Sequence, residues 1–444
     1  MTLRKDITIL LAALLTACSA DHNDGSGTGN YQPKAQEEGI TFAQPWIIAA
    51  GSGNADTDPL GGDTRAAHGT IDNDGTEGTA LKSTTGFGVF GCYTGSHRYA
   101  DSDMQPNFMY NEHIWWDGAH DVWTYSPIKY WPNGEGETLP DGTPAGTGNG
   151  TTAENPHYIT FFAYGPYSDL DGSDPATNPA GYCIPSFSYQ SEHVNPWLTY
   201  QLIPQAHLDK QVDLLCATPL IDQKKPQTNE RLKFQMQHAL ACVAGAISVR
   251  CEKPMKENIR ERLADNVGHM EVIITRLTID YELTDHGRLT LWNNGTMNWE
   301  PVVSGNFTTK RTANYATVLS TVSDVVFDIT GDKDDATVNT EMWSDETQGI
   351  FYIPIHIGHH VQTATINLEY QVRHYTPEAP TVPIAERTRA LTAAVTLSDF
   401  IEAYQAGKCL NFNLLLNETS LVVTAAIHDW LHGLGETIGD IHAE

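Results

Sequence analysis

In INLEYQV, residues 366–372, apolar and polar side chains alternate without a break. Ile366, Leu368, Tyr370 and Val372 share one face, and Asn367, Glu369 and Gln371 share the other. Successive side chains leave a strand on opposite sides, so period two is the mark of a half-buried β-strand and does not suit a helix. The same signal recurs through the chain. FYIPIHI puts Phe351, Ile353, Ile355 and Ile357 on one face, and GHHVQ then reads as the turn of a hairpin leading into INLEYQV. FGVFGCY (87–93), VWTYSPIKYW (122–131) and YITFFAY (158–164) are aromatic and β-branched, as strands prefer. LNFNLLL and SLVVTAAIHDW supply two more strands near the C-terminus. Gly/Pro/Asp-rich loops, notably 132–157 and 168–181, separate the early strands. Only two helices are predicted, at 256–265 and 396–407. In the second, Thr396 and Asp399 form a capping pair, Phe400 and Tyr404 share a face, and Gly407 stops the helix. The class is mainly all-β. At 444 residues the chain is long enough for two domains, read as two sandwiches in series.

The N-terminus, MTLRKDITILLAALLTACSADHND, has the layout of an export signal. Arg4 and Lys5 precede a short apolar run, Ile7 to Leu15, which is too short to span a bilayer. Leu15-Thr16-Ala17-Cys18 at its end fits a lipobox, where cleavage leaves a cysteine whose thiol accepts lipid. That position favours lipidation of Cys18 over an ordinary signal peptide. Residues 19–38 are polar and read as a tether. GITFAQPWIIAAG (39–51) follows, with Ile40, Phe42, Trp46 and Ile48 on one face of a strand. Pro45 has no N–H to give a ladder, which places this strand at an edge or breaks it. Residues 51–82 return to loop composition. Within them Arg65 stands alone, the sole Lys or Arg between Lys34 and Lys82.

A formal charge of −29 repels phosphate backbones, so nucleic acid is not an expected partner. Six cysteines remain besides Cys18, with no CxxC among them. Most lie in apolar runs such as LLCAT and ALACV, which favours buried thiols over a disulfide framework.

Signals of enzyme or metal chemistry are thin. His356, His359 and His360 form HIGHH, but His356 sits on the polar face of a strand and the others in a turn. Their rings need not converge, and no HExxH or carboxylate trio completes a site. His428 and His432 have i,i+4 spacing in a strand-like run, where that spacing aligns nothing. Asp169, Asp171 and Asp174 in DLDGSD lack the later ligands of a calcium loop and read as a solvated turn. GxSxG, P-loop and dinucleotide motifs are missing. No enzyme activity and no cofactor are expected. His238, on the apolar face of Phe234, Met236 and Leu240, reads as a hydrogen-bonded core residue. Trp115, Trp116, Trp123, Tyr125, Tyr130 and Trp131 are alternating aromatics that suit a sandwich core and rim. The alternative is a sugar-stacking platform, making the protein a surface glycan-binding lipoprotein through its Trp-rich 115–131 region.

Taken in order, several stretches resemble the fimbrillin family, the subunits of Bacteroidales type V pili. They are the lipobox at Cys18; TRA (64–66) ahead of FGVFGCY; NFMYNEHIWWDGAHDVWTYSPIKYWP; YITFFAYGPY; VDLLCAT (212–218); LKFQMQHALACVAGAISV; and the run ending SLVVTAAIHDW. The resemblance implies two transthyretin-like Greek-key β-sandwich domains in tandem. It implies export as a lipoprotein to the outer membrane surface, then cleavage between Arg65 and Ala66 by an arginine-specific protease. Loss of the first strand would open a groove for a strand of another pilin subunit. The candidate donor is the region from Ser420, with Leu421, Val423, Ala425 and Ile427 on one face. Stalk, tip and anchor positions all stay open, and a host or bacterial receptor would be a further partner. The chain then divides into a signal peptide and lipobox (1–18), a tether plus removable strand (19–65), an N-terminal sandwich (66–228) and a C-terminal sandwich (229–444). Metabolic labelling with palmitate should mark the wild type and be lost in Cys18→Ala.

Overall fold

The computed structural model describes residues 39–47, 86–102, 105–132, 157–226, 230–251, 269–302, 308–314, 326–328, 340–343, 350–355, 362–379, 381–397, 405–416 and 420–429. Strands dominate them. The alternation in 366–372 places Ile366, Leu368, Tyr370 and Val372 in the core and leaves Asn367, Glu369 and Gln371 half-buried. FGVFGCY and YITFFAY lie within the strands Phe87–Gly95 and Tyr158–Gly165. These pair antiparallel, with Phe90 opposite Phe162. Every residue of Tyr158–Gly165 is buried, because both faces of its sheet are covered.

That sheet runs in the order Trp46–Ile47, Gln235–His238, Leu215–Ala217, Tyr158–Gly165, Phe87–Gly95, Met109–Asp117, Val122–Thr124, with Leu220–Gln223 added beside Tyr158–Gly165. One face surrounds a core of Phe42, Phe87, Ile114, Phe161, Phe234 and Met236. The other packs on a four-stranded sheet of Asn298–Pro301, His286–Thr290, Trp197–Gln201 and Ser186–Phe187. Phe187 bridges the two layers, with its ring 5.4 Å from Phe90 and 5.2 Å from Tyr164. Strands from both sides of residue 229 share these sheets. Gln235–His238 pairs with Leu215–Ala217, and His286–Thr290 pairs with Trp197–Gln201.

Two further sheets face each other over the remaining core. One orders Thr340–Trp343, Ala241–Cys251, Lys408–Leu416 and Leu421–Asp429, with Ile350–Tyr352 also on Ala241–Cys251. The other orders Thr308–Asn314, His269–Thr284, Thr363–Tyr375 and Ala385–Thr396, with Val326–Asp328 on His269–Thr284. Ile247, Phe412 and Leu414 from the first meet Ile279, Ile366 and Leu368 from the second in one cluster, which is continuous with the Phe90–Phe187 layer. All described residues belong to one compact unit, Glu38–Glu444.

Two local expectations are corrected. FYIPIHI and INLEYQV do not form a hairpin: Ile350–Tyr352 pairs with Ala241–Cys251, while Thr363–Tyr375 pairs with His269–Thr284 and Ala385–Thr396 in the facing sheet. Pro354, without an N–H, follows the short strand, and Phe351, Tyr352, Ile353 and Ile355 are all buried. A run buried on both sides has no solvent face, so its apparent alternation carries no facing information. Of the helix expected at 396–407, residues 398–404 lie outside the described residues; Thr396 ends the strand Ala385–Thr396, where it pairs with Thr363. Gly407 does adopt a left-handed φ of 75°. VWTYSPIKYW is a strand only over Val122–Thr124, with one more bridge at Tyr130. The 256–265 helix and HIGHH lie outside the described residues.

Two glycines fix how the first sheet enters its core. Gly86 has φ 58°, and a Cβ there would lie 1.9 Å from the Ile114 carbonyl oxygen. Gly88 lets the Tyr164 ring lie against the backbone, 2.2 Å from where its Cβ would stand. Gly86→Ala should therefore cost about 2–3 kcal/mol, read as a lower urea midpoint at unchanged slope. The cysteines agree with the buried-thiol reading where their side chains are described. Burial pushes the thiols of Cys92, Cys183 and Cys216 up to about 12. Buried and held in the thiol form, all three should resist iodoacetamide in the native protein and react in urea, as mapped by mass spectrometry.

Candidate functional site

Residues 39–47 are the segment that closes the first sheet upon itself. Trp46–Ile47 pairs in parallel with Gln235–Met236 at one end of the strand order. Just upstream, Phe42 bridges Leu232 in parallel on one side and Trp123 antiparallel on the other, and Gly39 bridges Tyr130. The segment thus lies between the two ends of the sheet and satisfies both. The Ile40 N–H donates to Lys129 O at 2.8 Å; the Ala43 N–H donates to Leu232 O, and the Leu232 N–H to Thr41 O, each at 2.8 Å. Pro45 is the break between these bridges and the short strand, as its missing N–H requires.

Side chains add to the backbone ladder. The Tyr125 hydroxyl donates to Ile40 O at 3.0 Å, and Trp123 Nε1 donates to Gln44 Oε1 at 3.0 Å. Ile40 and Phe42 are fully buried, as the period-two pattern predicts. The Phe42 ring sits among four others. It stacks on Phe234 at 6.0 Å and 15°, and meets Phe87, Tyr125 and Phe161 edge-on at 6.1, 5.6 and 6.4 Å. Such pairs contribute roughly 0.5–1.5 kcal/mol each beyond the area they bury. The four partners come from four different parts of the chain, so one side chain ties the closed sheet together. The side chain of Trp46 and all of Ile48 lie outside what the structure describes, as do Cys18, Arg65 and Ala66.

The aromatic 115–131 region forms one wall of this groove. Trp123, Tyr125 and Trp131 are buried in the core around Phe42, and Trp116 packs edge-on against Trp123 at 5.6 Å. Trp115, Trp116 and Tyr130 are half-buried. The core reading of these aromatics therefore describes Trp123, Tyr125 and Trp131, and those three rings offer no open face for a sugar.

At the opposite end of the chain, Leu421–Asp429 pairs antiparallel with Lys408–Leu416 along its whole length and occupies the edge of its sheet. Leu421 is buried, and Val423, Ala425 and Ile427 pack partly buried against the large core. This is the face that the sequence pattern picks out.

The other candidate chemistry resolves into structure. Asp169, Asp171 and Asp174 do make a turn: they accept from the N–H groups of Asp171, Ser173 and Ala176 at 2.9, 3.2 and 2.9 Å. Hydrogen bonds from the Ala176 N–H and the Thr177 hydroxyl hold the Asp174 carboxyl below its usual range. Among the described residues no group of three His, Cys, Asp or Glu side chains is placed to hold a metal ion. His359, His360 and His432 lie outside the described residues. No helix among the described residues is long and apolar enough to cross a membrane.

His238 is a core residue, as expected, and its partner is Asp213. His238 Nδ1 lies 2.8 Å from Asp213 Oδ2, with the carboxylate wholly buried. Sequence reasoning passed over Asp213, although a lone acid in the apolar run VDLLCAT was the available signal. The contacts of Gln44 and Tyr125 with the groove were also missed, since a polar tip on a strand face reads as solvated.

Comparison with known proteins bears on this geometry. No family model matches the chain. The chain is 25% identical over 305 residues to the fimbrium subunit Fim1C of Phocaeicola vulgatus, an alignment covering 63% of this chain. It spans 65% of that relative's length. Its fold is shared with the crystal structure of a fimbrial protein from Bacteroides vulgatus, at TM-score 0.53 and 18% identity, over 79% of this chain and 95% of that one. This chain therefore has an all-β fold in common with a fimbrial protein and sequence similarity to a fimbrium subunit, the direction in which its ordered motifs also point.

Proposed function

We propose that this protein is a structural subunit or tip component of a cell-surface pilus that polymerises by strand exchange. The observation that carries the reading is the seat of residues 39–47. They close the first sheet through Phe42 and are the part of that sheet nearest the N-terminus. If they leave, the Leu232 N–H and carbonyl lose their partners, the Lys129 carbonyl loses one of its two, and the apolar cage of Phe42 opens to water. Both defects are relieved by a strand added from outside, which is how exposed sheet edges capture peptides.

The remaining steps follow from the sequence. Cys18 carries lipid and holds the exported precursor at the outer membrane. Cleavage between Arg65 and Ala66 then frees residues 39–47 from the rest of the chain, in an acidic, glycine-rich loop suited to nicking. Leu421, Val423, Ala425 and Ile427 form the face of the candidate donor strand, offered to the groove of a neighbouring pilin subunit. Similarity to a fimbrium subunit supports assembly with other pilins as the setting.

Limited digestion of the full chain tests this. Intact protein should remain monomeric, whereas protein cut after Arg65 should assemble with other pilin subunits into ladders that survive SDS. Cut protein that remains monomeric in every subunit mixture would overturn the assembly role.

A further inference from the structure

We propose that the groove holding residues 39–47 selects its incoming strand by an aromatic side chain at the Phe42 position, and that the strand comes from a different polypeptide, not from Leu421–Asp429 of a second copy. This rests on the strand-exchange reading and adds to it the chemistry of the partner.

The resident segment is a template for what the groove accepts. Three features of Ile40-Thr41-Phe42-Ala43-Gln44 are used. Ile40 is an aliphatic side chain with no exposure, inside the core that Phe42 anchors. Two residues on, Phe42 fills a cage of Phe87, Tyr125, Phe161 and Phe234. Two residues further, Gln44 accepts the indole N–H of Trp123. An aliphatic side chain in the cage would leave part of it empty and the facing rings without contacts, and packed interiors do not close around such voids at no cost.

The chain's own C-terminal strand does not match. On its inward face it carries Leu421, Val423, Ala425 and Ile427, with no ring among them. Beyond Leu421 the sequence has one aromatic residue of the Phe, Tyr or Trp kind, Trp430. His428 and His432 occupy the positions two residues to either side of it, where the template has Ile40 and Gln44. A groove built around a caged phenyl ring and a chain that presents none to it fit a heterotypic contact: this subunit accepts a strand of the pattern aliphatic-x-aromatic-x-acceptor from another polypeptide.

The test uses the full chain, nicked by trypsin between residues 51 and 85, where Arg65 and Lys82 are its targets. Exchange of the resident segment for fluorescent peptides is followed by anisotropy. Three probes are compared: residues 38–48, the same peptide with Phe42→Leu, and residues 420–430. The wild-type 38–48 peptide should exchange in. The Phe42→Leu peptide should bind at least tenfold more weakly, and 420–430 should fail to compete. Equal binding of the Phe42→Leu peptide, or capture of 420–430 as tightly as 38–48, overturns the proposal while leaving strand exchange intact. Failure of every peptide to exchange, the wild-type one included, overturns the strand-exchange reading and this proposal with it.

Discussion

One aromatic side chain holds the first sheet closed. Phe42 reaches into a ring of Phe87, Tyr125, Phe161 and Phe234, while the backbone on either side of it bonds to both ends of the strand order. A sheet with two free ends exposes two rows of unpaired groups, and closure is the one device that removes both. Here the closing piece is a short, proline-broken segment near the N-terminus, separated from the next described strand by residues 48–85. The interaction on which the sheet depends therefore belongs to the piece of chain that a single cut would detach.

The rest of the molecule supports that arrangement by rigidity. The face of the sheet turned away from Phe42 packs on a second layer through Phe90, Tyr164 and Phe187, and that core runs on without interruption into the two facing sheets of the C-terminal half. Buried thiols and the wholly buried Asp213 beside His238 belong to this large core. Removing the segment would disturb the smaller core around Phe42 and leave the larger one covered.

Much of the fold was legible because strands announce themselves by alternation. Residues 366–372 were read correctly for that reason and 158–164 from their aromatic and β-branched composition, while the burial of Ile40 and Phe42 followed from alternation. The rule fails where both faces are buried. FYIPIHI alternates apolar residues with others, yet Phe351, Tyr352 and Ile353 are all buried, and the partner strand of Ile350–Tyr352 lies more than a hundred residues earlier at Ala241–Cys251. The groove was visible as a strand with an apolar face. Its walls were not, since Trp123 and Leu232 meet Phe42 only through tertiary closure. The aromatic run at 115–131 showed its composition in the sequence and its purpose only in space.

The central claim is that residues 39–47 complete the first sheet from outside the rest of the chain. Hydrogen exchange at the Leu232 amide, which donates to Thr41 O, measures it directly. In the nicked full chain this amide should be protected while the segment is bound, exchange freely once mild denaturant has released it, and regain protection when a strand is added back. A Leu232 amide that stays protected after the segment has gone would contradict the account.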